Sequence, residues 1–295
     1  MKIIVHDTAS AMLDLLERPA ADRPAALAQL LAPLQETMSA VGIPDLVQLH
    51  RAGSGFPLDH DDPRLAEAVH RMRDAGVWIR VEDCLGAARE RLAAAAPGAA
   101  TAADVHVVLV LGDPDDEHLT VRSAGYLGTG GIPGAIHLMM WPTGTSLAKI
   151  GHVAAHELHH NVRYANVVWD PATVTVGEQV VAEGLAEAFV RELAGEQAMG
   201  PWATALTGAE LDEAYEKVTA GLDVAGMHRL PPYVYGDATA RLMGAEPVGL
   251  PDFAGYAVGL RIVDAHLAAT GLTAAESVAL PARTILANAG IRTTA

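Results

Sequence analysis

The sequence predicts an α+β fold, and three observations predict it. A β-branched run at 105–111 reads as a buried strand, 136–141 reads as a second strand, and both fall in the middle of the chain. Stretches with apolar residues at helical spacing dominate the second half, at 146–165, 177–193, 209–220 and 253–269, with a short one near 281–289. Strands and helices are thus segregated rather than alternating as βαβ units would be. Finally, a 295-residue chain that is 51% hydrophobic has apolar material for a sizeable core.

Residues 3–6 read as a short strand, and 10–17 and 24–41 as helices. In the second helix Leu27, Leu30, Leu31, Leu34 and Met38 keep helical spacing, and Asp22 is a candidate N-cap. Asp59, His60, Asp61 and Asp62 precede Pro63 and a helical run at 65–72, so they read as a solvated helix start rather than a cation site. A further helix is expected over 82–95. The Ala/Pro/Gly-rich stretch 93–103 is the linker candidate. It divides the chain into an N-terminal, mostly helical lobe, 1–100, and a catalytic lobe, 101–295. Residues 125–134 hold five glycines, but no Gly-Lys-Ser/Thr ending follows and a strand comes next. They read as a flexible hairpin loop, not a phosphate loop.

Charge and cysteine content exclude several function classes. Against 20 Lys+Arg stand 36 Asp+Glu, a formal net charge of −16 that would repel phosphate backbones and anionic lipid surfaces. Neither nucleic acid nor membrane is an expected partner. Cys84 is the single cysteine, which rules out an intramolecular disulfide and a Cys-cluster zinc site and reads as a small packed hydrophobe. Residues 1–7 lack the apolar core and cleavage site of a secretory signal, and no run of about 18 apolar residues occurs. A cytoplasmic location is expected.

The chemistry concentrates in His156-Glu157-Leu158-His159-His160. Histidines four apart on a helix project from one face and can hold one metal, and imidazole nitrogen suits Zn²⁺. Glu157 stands beside the first histidine, where a carboxylate can accept the proton of a metal-acidified water. Ser146 is a candidate cap for this helix, and Ile150, Val153, Ala154, Leu158 and Val162 supply its packing face. His152 and His156 form a competing pair at the same spacing, but no acid follows His152 directly. His159 lies off the ligand face, since each helical residue turns by about 100°.

Two histidines call for a third ligand, leaving a fourth position open. Glu183 lies 23 residues beyond His160, room for a turn and a second packed helix. Glu187 shares its face one turn later and could accept a proton from the far nitrogen of a ligand histidine, fixing its tautomer. A hydrolase also needs a hydrogen-bond donor for the developing oxyanion. Tyr256, flanked by Gly255 and Gly259, is the preferred candidate among Tyr233, Tyr235, His228 and Arg163. The strand at 136–141 is the candidate for pairing with an extended peptide.

His156-Glu157-Leu158-His159-His160 followed by Glu183-Gly184-Leu185-Ala186-Glu187 resembles the gluzincin pattern, HExxH plus a downstream Glu. With Ala155, Gly255-Tyr256-Ala257-Val258-Gly259 and Leu280-Pro281, it resembles a bacterial family of predicted Zn-dependent proteases catalogued as a domain of unknown function. The resemblance covers residues 105–290. It implies a zincin-like catalytic lobe, a Zn²⁺ cofactor, His156, His160 and Glu183 as ligands, and Glu157 as general base. The expected activity is cleavage of peptide or protein substrates. The alternatives are hydrolysis of a small amide, or a non-catalytic zinc-bound regulatory or peptide-binding module, for which Glu157 would have no use.

Overall fold

The computed structural model describes residues 1–292. The fold is α+β with a small four-stranded mixed sheet, consistent with the expected zincin-like arrangement. The chain folds into two compact units, one of residues 1–89 and 101–161, the other of 90–100 and 162–295. No helix of the described residues is long and apolar enough to cross a membrane.

The first unit holds strand β1 (Lys2–Val5) and helices α1 (Ala9–Leu16), α2 (Arg23–Ala40), α3 (Leu46–Ala52), α4 (Pro63–Asp74) and most of α5 (Val77–Ala95). Strands β2 (Asp104–Leu111), β3 (Tyr126–Ile132) and β4 (Ala135–Met140) follow, and then the larger part of α6 (Gly144–Tyr164). Strand order is β1-β2-β4-β3, with β1, β2 and β4 parallel and β3 antiparallel to β4. Pairing Val107 with Ile136 and Leu109 with Leu138 puts these side chains on one face, where all four are buried. Gly128 pairs with Leu138 on that same face, and its missing side chain points at Glu157 of α6, so α6 covers this side of the sheet.

Three details differ from the sequence expectations. The glycine-rich stretch is not a flexible loop: Tyr126–Ile132 is an ordered edge strand, with a register shift between Thr129 and Ile132. Because β3 takes this edge, β4 is paired on both sides, and the strand expected to receive a peptide has no free edge. The cap of α6 is Thr143 rather than Ser146. Thr143 Oγ1 accepts from the Ser146 N–H at 3.1 Å, and Ser146 Oγ accepts from the Thr143 N–H at 2.8 Å, a reciprocal pair of the capping-box kind. Asp62, by contrast, caps α4 through the Arg64 N–H, and Arg64 also bridges to Asp115. Of the acids of 59–62, Asp62 is thus tied to a helix start, as expected, while Asp59 pairs with His60 and Asp61 with Arg23.

The second unit is helical: α7 (Val176–Ala194), α8 (Gly208–Ala220), α9 (Pro231–Val234), α10 (Asp237–Leu242), α11 (Ala254–Thr270) and α12 (Ala282–Asn288). Every residue of α7 from Val180 to Val190 is buried. Helices α7 and α11 cross backbone to backbone at two glycines. A Cβ on Gly184 would lie 2.7 Å from the Leu260 nitrogen, and one on Gly259 would press into the Val180 carbonyl. Arg163, wholly buried, bonds Glu178 and the carbonyls of Val278 and Leu280, which fixes the start of α7 and the segment before α12. His266 is a core histidine held by Ser277 Oγ at 3.0 Å.

Candidate metal centre

His156 and His160 stand one turn apart on α6 and turn their rings together, with Nε2 facing Nε2 at 2.9 Å. Glu183 on α7 joins them. One ligand atom from each of the three lies within 4.8 Å of the others, and all three residues are buried. Among the described residues this is the one group of three or more His, Cys, Asp or Glu side chains able to hold a metal ion. His152 is not in it, so of the two competing pairs the cluster uses the second.

The donor set fits zinc. Two imidazole nitrogens and one carboxylate oxygen are its ordinary ligands, and three protein ligands leave a fourth position open. Bonds of about 2.0–2.1 Å in a tetrahedron put ligand atoms about 3.4 Å apart, so the histidines need to separate only slightly to chelate. A buried carboxylate beside two imidazoles is also costly to keep without a counter-charge, and a cation supplies one.

Glu157 follows His156 and is buried, 6% exposed. Strand β3 makes room for it. A Cβ on Gly128 would sit 2.6 Å from Glu157 Cγ, and one on Gly130 would sit 2.6 Å from Glu157 Cβ. A side chain at 128 would displace the carboxylate and one at 130 would meet the backbone of α6 at Glu157, so the glycines that hide the strand in the sequence allow the strand to lie against Glu157.

Asn161, adjacent to His160, holds that strand in place. Its amide donates to the carbonyls of Gly130, Ile132 and Ala135 at 3.1, 2.8 and 3.1 Å, and its carbonyl accepts from the Gly134 N–H at 3.0 Å. Sequence reasoning overlooked this residue, and only the topology of the β3–β4 hairpin gives it meaning. Asn161→Ala leaves several buried backbone groups without partners and should destabilise the protein by about 2–4 kcal/mol, read as a lower Tm in a thermal melt.

Glu187 is buried, and its carboxylate accepts from the Gly200 N–H at 2.9 Å and the Trp202 indole N–H at 2.6 Å. Tyr256 is half-buried in an aromatic cluster, its ring 5.9 Å from Trp202, 5.9 Å from Phe253 and 6.3 Å from Tyr235. His159 is completely buried, and His228 is exposed. Arg163, a donor candidate in the sequence, is committed to Glu178 and two carbonyls. Cys84 is half-buried, and burial and the nearby Asp83 push its thiol up.

Tyr164 was not anticipated. It stands one turn beyond His160, on the face of α6 that carries His156 and His160. Burial, then the charges of Glu178 and Glu183, push its phenol well above the ordinary tyrosine range. It therefore stays protonated within electrostatic reach of Glu183. The i, i+4, i+8 spacing of His156, His160 and Tyr164 was the signal available in the sequence.

Comparison with known proteins agrees with this geometry. Residues 86–287 match the family described as Predicted Zn-dependent protease (DUF2268). The chain is 38% identical over 193 residues to Uncharacterized protein YjfC of Bacillus subtilis (strain 168), covering 65% of this chain and 64% of that protein. It is 31% identical over 140 residues to Uncharacterized protein YjaZ of the same organism, covering 47% and 50%. The chain thus spans less than two thirds of the length of either relative. No solved structure matches. With a matched region that takes in α6, α7 and all three residues of the buried cluster, this chain belongs to the family of predicted Zn-dependent proteases.

Proposed function

We propose that the chain is a zinc-dependent peptidase of the gluzincin type working in the cytoplasm, with His156, His160 and Glu183 as metal ligands and Glu157 as general base. The observation that carries this reading is the buried two-histidine, one-glutamate cluster with a second carboxylate directly after the first histidine. A purely structural metal site would have no use for that second carboxylate. Zinc held there would supply Lewis acidity toward a substrate carbonyl and a water.

The residues of the chain account for the remaining steps. Glu157 accepts the proton of the attacking water and passes it to the leaving amine, in a site dry enough to keep the transfer local. The outer edge of β3 offers backbone groups to an extended peptide, beside Glu157 and held by Asn161. Tyr256 donates to the developing oxyanion, and Glu187 braces the ligand-bearing helix through Trp202. Tyr256→Phe should lower kcat by roughly ten- to a thousandfold at unchanged zinc content. Unaltered turnover would remove Tyr256 from the mechanism and turn attention to Tyr164.

The test of the reading is a mass-spectrometric cleavage profile of a broad peptide library incubated with the zinc-loaded protein. Defined peptide products support the peptidase. A protein that holds zinc firmly and cleaves no peptide would favour the small-amide hydrolase or the non-catalytic module instead.

A further inference from the structure

We propose that Gln179 is a positioning residue for the metal centre, presenting the Glu183 carboxylate to the cation. The inference rests on the reading of His156, His160 and Glu183 as a metal site and adds a residue to it.

Gln179 and Glu183 are four apart on α7, so their side chains share one helix face. The Gln179 side-chain nitrogen lies 2.8 Å from Glu183 Oε1. An ionised carboxylate only accepts, so the amide must turn its N–H toward it, and the contact has one chemical sense. Glu183 sits within a stretch of α7 that is buried on all sides, where bulk water cannot select its orientation. A side chain fixed one turn away does so instead, at a terminus made rigid by the Thr175 side chain capping the Glu178 N–H at 3.1 Å.

The chemical type of the partner matters as much as its place. A lysine or arginine at 179 would orient the carboxylate but also cancel the negative charge the cation is drawn to. An acid would repel it. A neutral amide holds the oxygen and leaves the charge intact, which is the way outer residues raise the affinity of a metal site without entering it. Gln179 itself touches neither substrate nor metal in this role.

The experiment compares the full-length parent with Gln179→Met, which keeps the length and bulk of the side chain but cannot donate. Thr175→Ala serves as a purely structural control on the same helix. Zinc affinity is read by competition with a fluorescent chelator, stability by the Tm of the zinc-free proteins, and ligand geometry by the visible spectrum of the cobalt-substituted forms. The expected result is zinc binding about ten- to a hundredfold weaker in Gln179→Met, with a zinc-free Tm close to the parent's and an altered cobalt spectrum. Thr175→Ala should lower the zinc-free Tm and leave zinc affinity unchanged. Zinc affinity within about twofold of the parent's in Gln179→Met would overturn the proposal, as would an affinity loss matched by Thr175→Ala. A parent that takes up no zinc would remove the centre itself, and Gln179's role with it.

Discussion

Replacing Glu157 with Gln should lower peptide hydrolysis by about a hundredfold or more, with zinc content unchanged. The amide has nearly the shape of the carboxylate, so it fits the space that Gly128 and Gly130 leave against β3. It adds no bulk to the ligand face of α6, and His156 and His160 keep their approach. What it loses is basicity. An amide cannot take the proton that attack on a carbonyl releases, and in a buried position no bulk water stands in for it. Turnover of a defined peptide, measured beside elemental zinc analysis of the same sample, reads both halves of the expectation. Full activity in the variant would show that proton transfer runs through another group.

Glu183→Ala should act in the opposite way, on the metal. Two histidines alone make a weak site, so zinc affinity falls steeply. The effect on stability should change sign with zinc. A ligand present at about a thousand times its Kd stabilises the folded state by about 4 kcal/mol, and the variant forfeits most of that gain. Without zinc, the parent bears a carboxylate inside a fully buried stretch of α7, where a charge is expensive. Alanine removes that cost, and with it the Gln179 hydrogen bond among the carboxylate's contacts. The zinc-free variant should therefore melt no lower than the zinc-free parent, and well below it once zinc is added. Thermal melts of both proteins with chelator and with zinc decide this. A variant that holds zinc as tightly as the parent would place the third ligand elsewhere.

Much of this centre was legible because its parts are local. The i, i+4 histidines and the adjacent acid need only a helix to meet, and α6 supplies it. Glu183 needed one further assumption, that an acid of a later helix comes near the histidines, and one of its atoms lies within 4.8 Å of theirs. What could not be read depends on contacts between distant segments. The strand character of Tyr126–Ile132 was masked because glycine carries no side-chain signal, and the reason for the glycines lies in Glu157, more than 25 residues later. Asn161 looked like any polar residue after a histidine until the β3–β4 hairpin closed around it. Two partners of Glu187, Gly200 and Trp202, lie beyond the end of α7, where spacing within a helix gives no guide. Ser146 and Thr143 differ by a single turn of register, which cap chemistry alone does not resolve.

The central claim, that this chain hydrolyses peptides by means of a zinc ion at His156, His160 and Glu183, is tested most directly by zinc titration of the stripped enzyme. Cleavage of a fluorogenic peptide pool is followed while zinc is added back to chelator-treated protein. The account predicts no cleavage at the start and a rise that saturates near about one zinc per chain, as expected for a single three-ligand site. Cleavage that persists in the stripped protein, or one zinc bound without any cleavage, would contradict it.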